Sequence, residues 1–321
     1  MTAAVQHRPS STVAGIRWHR PLLWYTAAMA VLVVVCLVGL IVDPRTLLGV
    51  NVWEKPLKFA ISTAIYAVTW SWLIGQLQSF RRVAWWAGTL SAVLLVIELV
   101  IIAGASAVGV TSHFNVTTPL ATALWAVMAV SITTLWVATF VVSIILFRNP
   151  LGDRARTLAI RSGALIALAG MGLAFLMTGP TAQQLDDWQG IAGAHTVGVA
   201  DGGPGLPLLG WSTVAGDLRI PHFVGMHALQ VIPLALILIE LASRRIAVLR
   251  SVDVRYRLVA IVAATYVAVL GVLTWQALRG QSIVAPDATT AVTTLVIAAL
   301  ALAAAAAVVV LQRQLHDRPA L

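Results

Sequence analysis

Eight apolar stretches, each about the length needed to cross a bilayer, recur along this chain with short polar breaks between them. Crossing about 30 Å of hydrocarbon takes roughly 20 apolar residues in a helix. The stretches run from Leu22 to Val42, Leu57 to Leu77, Val83 to Val108, Pro119 to Phe147, Leu158 to Thr178, Pro221 to Ala242, Leu258 to Leu278 and Thr289 to Leu311. A chain built this way has lipid for most of its solvent. Only 10% of its residues are charged and 60% are hydrophobic, whereas a soluble domain carries about 25% charged residues. The expected fold is therefore an all-α, polytopic membrane helix bundle of about eight spans.

Charge placement predicts the orientation. The formal net charge is +9, which invites a nucleic-acid partner. Yet sixteen of the 21 basic residues fall before the first span, after the last, or in alternate loops: Arg8, Arg17, Arg20, Arg81, Arg82, Arg148, Arg154, Arg156, Arg161, Arg244, Arg245, Arg250, Arg255, Arg257, Arg313 and Arg318. Only Arg45, Lys55, Lys58, Arg219 and Arg279 belong to the other side. Such alternation follows the positive-inside rule and predicts a cytoplasmic N-terminus and C-terminus in a cell membrane, with lipid and not nucleic acid as the surrounding partner. Tryptophans agree: Trp18, Trp24, Trp70, Trp72, Trp85 and Trp86 lie near the inner ends of spans, and Trp53, Trp188, Trp211 and Trp275 near the outer ends. The arginine preference suggests a GC-rich bacterial genome. The one cysteine, Cys36, falls inside the first span and excludes a disulfide framework. That span is too long for a signal peptide and no cleavage site follows it, so it reads as a retained helix.

Most connections are short. The exception is the outer segment 179–220, glycine-rich and carrying DDWQG, HTVG and DGGPGLPLLGWS, whose length suggests a lid, re-entrant element or cap. Leu206, Leu208, Leu209 and Trp211 are too apolar for a loop that only floats in water. An internal duplication is also suggested: LLGVNVWEKPLKF leads into the second span and LLGWSTVAGDLRIPHF into the sixth, with an acid, a base, a proline and a phenylalanine in nearly the same order. If the halves are repeats, residues 1–157 and 158–321 form two parallel four-helix units; chance likeness between two amphipathic helix starts explains the pattern equally well.

Ionisable residues within a bilayer are costly and call for an explanation. Glu98 lies in the outer half of the third span, His227 and Gln230 in the outer half of the sixth, and Gln276 near the outer end of the seventh. Glu98 and His227 fall at similar depth, which makes a contact between them geometrically possible. Before the second span stand Glu54, Lys55, Pro56 and Lys58. Glu54 suits a helix N-terminus, while Lys55 and Lys58, three apart on one face, suit an anionic headgroup or ligand as well as simple snorkelling. Asp217 and Arg219 read either as a local ion pair orienting the long loop or, together with Arg279, as a source of guanidinium groups for a carboxylate or phosphate. Glu240 at the inner end of the sixth span is explained by snorkelling.

Four of the seven histidines, His113, His195, His222 and His227, belong to the outer side. Histidine there can hold a metal or haem, relay protons or satisfy backbone groups. His222 and His227 are five apart, about 140° around a helix, so one regular helix cannot present both to a metal. A divalent metal or haem would require His227 with His113, His195 or Glu98. The motifs match no membrane family: a retinal protein needs a lysine in its last span, and the zinc lipid hydrolases use histidines four apart. A bundle enclosing one extracytoplasmic polar cavity, ringed by all thirteen of these residues, is expected. Three functions stay open: a metal-, haem- or small-ligand-binding protein with Glu98 as a proton-handling group, a transporter coupled through Glu98 and His227 with Arg219 or Lys58 selecting an anion, or a scaffold.

Overall fold

The computed structural model describes residues 17–316. Arg8 and Arg318, counted above as basic flanks, lie outside the described residues. Ten α-helices follow in order: α1 (Arg20–Val42), α2 (Glu54–Gln76), α3 (Arg81–Val108), α4 (Pro119–Phe147), α5 (Arg154–Gly172), α6 (Ala182–Asp186), α7 (Arg219–Met226), α8 (Ala228–Ala242), α9 (Val252–Leu278) and α10 (Ala288–His316). Seven helices are long and apolar enough to cross a membrane, with α5 continuing through a 3-10 turn towards α6. The bent pair α7 and α8 makes an eighth span. The chain is thus an all-α, multi-pass membrane bundle, with valine, leucine and isoleucine side chains exposed along the helices as a lipid boundary requires.

The sixth span is broken, where the sequence suggested one continuous helix. α7 ends at Met226, His227 interrupts it, and α8 departs at 48°. The break sits where the chain comes closest to α5. A Cβ added to Gly170 would lie 2.2 Å from the carbonyl carbon of Gly225, so neither glycine can carry a side chain without driving the backbones apart. The Nδ1 of His222 donates to the Gly170 carbonyl at 2.8 Å, pinning α7 to α5 beside this contact.

Contacts between consecutive helix ends divide the bundle into a basic end and a loop end. At the basic end, Arg156 at the start of α5 pairs with Glu240 at the end of α8, and Arg255 on α9 reaches Asp153. Glu240 is therefore half of an ion pair, with both oxygens engaged, and not a lone snorkelling side chain. Asn149 after α4 accepts the backbone N–H groups of Gln78 and Ser79 after α2. α1 packs on α2 and α3, and α3 on α4; α5 packs on α7, α8 and α9, and α9 on α10. α10 buries none of its apolar window within the chain.

At the loop end, residues 179–218 fold into a cap. Strand β1 (Thr46–Leu47) pairs with β2 (Val50–Asn51), and β3 (Thr196–Val197) pairs with β4 (Gly216–Asp217), both antiparallel. Isolated bridges join Asn115 to Ile191 and Gly205 to Ser212. Gly216 is obligatory, because a Cβ there would meet the Ala277 carbonyl oxygen at 2.0 Å. That contact seats β4 directly on the end of α9.

Candidate functional site

Beneath the cap lies a cavity of about 370 Å³, reaching from Leu48 and Gly202 at the mouth to Tyr66, Ile132 and Leu135 within the bundle. Its size falls in the range of roughly 300–1,000 Å³ common for small-molecule sites. Phe59, Phe114, Trp125, Met128 and Trp211 give it apolar walls. Its floor is closed towards the basic end by hydroxyl pairs: Tyr25 donates to Thr63 at 2.7 Å, and Tyr66 and Thr139 bond at 2.7 Å.

Seven of the thirteen residues singled out in the sequence line this one cavity: Lys55, Lys58, Glu98, His113, His195, Arg219 and His222. They arrive from four places. The first turn of α2 projects Lys55 and Lys58, mid-α3 supplies Glu98, the α3–α4 turn supplies His113, and the cap with α7 supplies the remainder. Charge is uneven among them. Lys58 donates to the Leu209 carbonyl at 2.9 Å, holding the cap on α2. Arg219 embraces Asp217, whose side chain is completely buried, with contacts of 2.6 and 2.9 Å, and also donates to the Gly210 carbonyl. Lys55 and Glu98 differ, since neither makes a hydrogen bond or ion pair among the described residues. Glu98 is nonetheless only 5% exposed, and it lies within electrostatic reach of Lys55, as do Asp201, Lys58 and Arg219.

The histidines of the site are arranged as neutral bases. His195 Nδ1 bonds an Asp201 oxygen at 2.6 Å, and Asp201 also accepts the backbone N–H groups of His195 and Thr196. Burial lowers the His195 pKa, and the opposing pull of the Asp201 carboxylate does not restore it. For Asp201, burial works upward, but the bonds from His195 and Thr196 outweigh it and hold the carboxyl below its usual range. The pair is therefore a neutral imidazole donating Nδ1–H to a carboxylate, which leaves Nε2 as an acceptor. The His195 ring rests 4.9 Å from that of Phe114. His113 is held well below its ordinary pKa by burial, then by the charges of Lys55 and His195; its Nδ1 lies 3.0 Å from the Ser112 hydroxyl.

The other six residues serve elsewhere. His227 sits at the break of the sixth span, 3.3 Å from the Ser62 hydroxyl on α2, and has no contact with Glu98 among the described residues. Gln230 donates to Thr69. Gln276 donates to the Ser282 carbonyl and closes the turn after α9. Arg279 pairs with Asp287 and covers the Trp275 ring at 4.2 Å, so it is not a free anion receptor. Asp217 buttresses Arg219 and the cap, accepting the Ser212 N–H at 2.8 Å. Glu54 occupies the first turn of α2, where a carboxylate favours the helix dipole. Among the described residues no three His, Cys, Asp or Glu side chains come together as a metal-holding group, so His113, His195, His222 and His227 do not form one. The bonds made by Nδ1 of His195 and His222 instead fix each ring as a hydrogen-bonding group.

Sequence reasoning missed Asp201, the partner of His195, whose signal was an acid six residues on within the same glycine-rich stretch. It also missed the aromatic walls, since Phe59, Phe114 and Trp125 look like ordinary span residues until the helices are assembled. The chain matches no protein-family model, no curated protein sequence and no solved structure.

Proposed function

We propose that this protein binds a small amphipathic anion, an apolar body with a carboxylate or phosphate head, admitted from the loop end, which faces away from the cytoplasm. One observation carries this reading: the Lys55 amine makes no hydrogen bond or ion pair among the described residues and stands at the polar end of a mostly apolar cavity. Lys58 and Arg219 stand nearby and repel it. Arg219 is already matched by Asp217, so the crowding falls on Lys55 and Lys58, and an incoming anion relieves it. Asp201 and Glu98 are the acids within electrostatic reach of Lys55 when no ligand is present. The Nε2 atom of His195 is available to accept a hydrogen bond from a hydroxyl or a protonated head, and the His113 ring lies beside it to donate or accept another.

The broken sixth span favours a second reading, transport, because discontinuous helices line substrate paths in many carriers. Transport would require the Tyr25–Thr63 and Tyr66–Thr139 closures to open, whereas binding requires no such opening.

Titrating the protein in nanodiscs with decyl phosphate or decanoate, followed by Trp125 and Trp211 fluorescence, tests the binding reading. Both anions should bind, and Lys55→Met should weaken them by about 10- to 100-fold, the worth of one charge-assisted hydrogen bond. Equal affinity for neutral decanol, or unchanged binding in Lys55→Met, would overturn it. Release of trapped decyl phosphate from proteoliposomes only when the protein is present would favour transport.

A further inference from the structure

A second cavity, of about 240 Å³, opens at the basic end between the starts of α1 and α3 and the end of α2. It is lined by Arg17, Trp18, His19, Ile74, Arg81, Arg82 and Trp85. The three arginines are exposed, and none makes an ion pair or hydrogen bond among the described residues. Three other cations at this end are matched, Arg154 with Asp253, Arg156 with Glu240 and Arg255 with Asp153, whereas exposed cations such as Arg244 and Arg245 line no part of this pocket.

No carboxylate is available to neutralise this pocket from its own segments. The sequence contains no Asp or Glu from residue 1 to 42, nor from 55 to 97, and these stretches include all of α1, nearly all of α2 and the first half of α3. The flanking acids, Asp43, Glu54 and Glu98, belong to the opposite end or the outer half.

The pocket floor is built rather than accidental. His19 is 2% exposed, and its Nδ1 caps α1 by accepting the Leu22 N–H. Its Nε2–H therefore donates to the Trp85 carbonyl at 2.9 Å. Ser71 on α2 donates to the His19 carbonyl at 3.0 Å. A Cβ at Gly88 would lie 2.7 Å from the Ile74 Cδ1 and 3.2 Å from the His19 ring, so a side chain there would have to displace Ile74 and press on the His19 imidazole. The Trp85 ring, 41% exposed, stands beside the arginines at the depth where indoles meet headgroups.

We propose that this pocket binds the phosphate of an acidic phospholipid, with Arg17, Arg81 and Arg82 on the headgroup and Trp85 against the glycerol and upper acyl chain. A guanidinium cluster without counter-ions suits a phosphodiester because planar donors pair with its oxygens. The adjoining indoles and Ile74 favour a lipid over a free ion. The site is separate from the cavity under the cap, and neither assignment depends on the other.

The test is native mass spectrometry of the full chain released from nanodiscs of mixed phosphatidylcholine and phosphatidylglycerol. The protein should retain phosphatidylglycerol selectively. Arg81→Gln/Arg82→Gln should reduce that retention about thirtyfold, from the usual contribution of two basic residues near an anionic surface. Arg81→Lys/Arg82→Lys should recover part of it. Arg244→Gln, which removes an exposed cation elsewhere at the same end, should leave it unchanged. Equal loss in Arg244→Gln, or retention unaffected in the double glutamine variant, would overturn the proposal. Should the double variant fail to fold, Arg17→Gln tests the same pocket from a residue ahead of the helices, with loss supporting and full retention contradicting it. In neutral detergent, inorganic phosphate should give no thermal stabilisation where short-chain phosphatidylglycerol does; stabilisation by phosphate alone would overturn the lipid assignment.

Discussion

Replacing Asp217 with asparagine should destabilise the loop end more than any other single charge removal. The carboxylate is completely buried and receives the Ser212 N–H, the Arg219 N–H and the Arg219 guanidinium through Nε and Nη2. Asparagine keeps the shape but loses the charge, and its amide group would turn a donor towards donors. Breaking a fully buried ion pair costs about 3–5 kcal/mol. Arg219 retains 29% side-chain exposure and is partly solvated already, so a cost of about 2–4 kcal/mol is appropriate, with a fall in Tm on the order of 5 °C. Arg219→Gln should cost a similar amount, since it strands a buried carboxylate. Because the two changes remove one interaction, the double variant should fall short of their sum by about 1–3 kcal/mol. Thermal unfolding in nanodiscs, followed by tryptophan fluorescence, measures all three. A loss below about 0.5 kcal/mol for Asp217→Asn, the scale of an ordinary surface substitution, would refute the assignment of this pair as the anchor of the cap. Strict additivity would refute it as well.

Further outcomes follow from the same contacts. Gly170→Ala should destabilise by about 3 kcal/mol or more, because its Cβ would lie 2.2 Å from backbone rather than from a side chain that can swing away; wild-type Tm would contradict the close approach of α5 and α7. Stability should fall on acidification. The pKa values of His113 and His195 are lowered in the fold, so the unfolded chain binds more protons as pH drops below about 6.5. Depression of Asp201 acts in the same direction at still lower pH. A Tm that is flat from neutral pH down to about pH 5, a window set by the ordinary histidine pKa, would show these groups to be solvated. His195→Asn should remove part of the slope.

The bundle itself was legible because its determinants are one-dimensional. Apolar length sets the spans and arginine alternation sets which ends lie together, so the observed helices differ from the sequence boundaries by only a few residues. The break at His227 was not legible. Beside it lies the Gly170–Gly225 contact, a meeting of residues 55 apart that no local pattern announces. For the site, the cost of burying polar groups drew attention to Lys55, Glu98, His113 and His195, all of which line the cavity. It could not separate groups already engaged by neighbours, such as Gln276 and Arg279, from groups left facing the cavity, because satisfaction depends on partners across the fold. The approaches to the second and sixth spans are alike in sequence. The two lead-ins nonetheless do different things: Lys58 and Arg219 both hold cap carbonyls, while Lys55 has no counterpart with a free ammonium.

The central claim is that costly polar side chains gather in one ligand-accepting cavity under the cap. Photo-crosslinking with a diazirine-bearing alkyl phosphate, followed by peptide mapping, tests it most directly. Labels displaced by decyl phosphate should fall on Phe59, Trp125 and Met128, which wall the cavity on α2 and α4. They should disappear in Lys55→Met. Labelling confined to lipid-facing residues of α10, or labelling of the walls that decyl phosphate does not displace, would contradict the account.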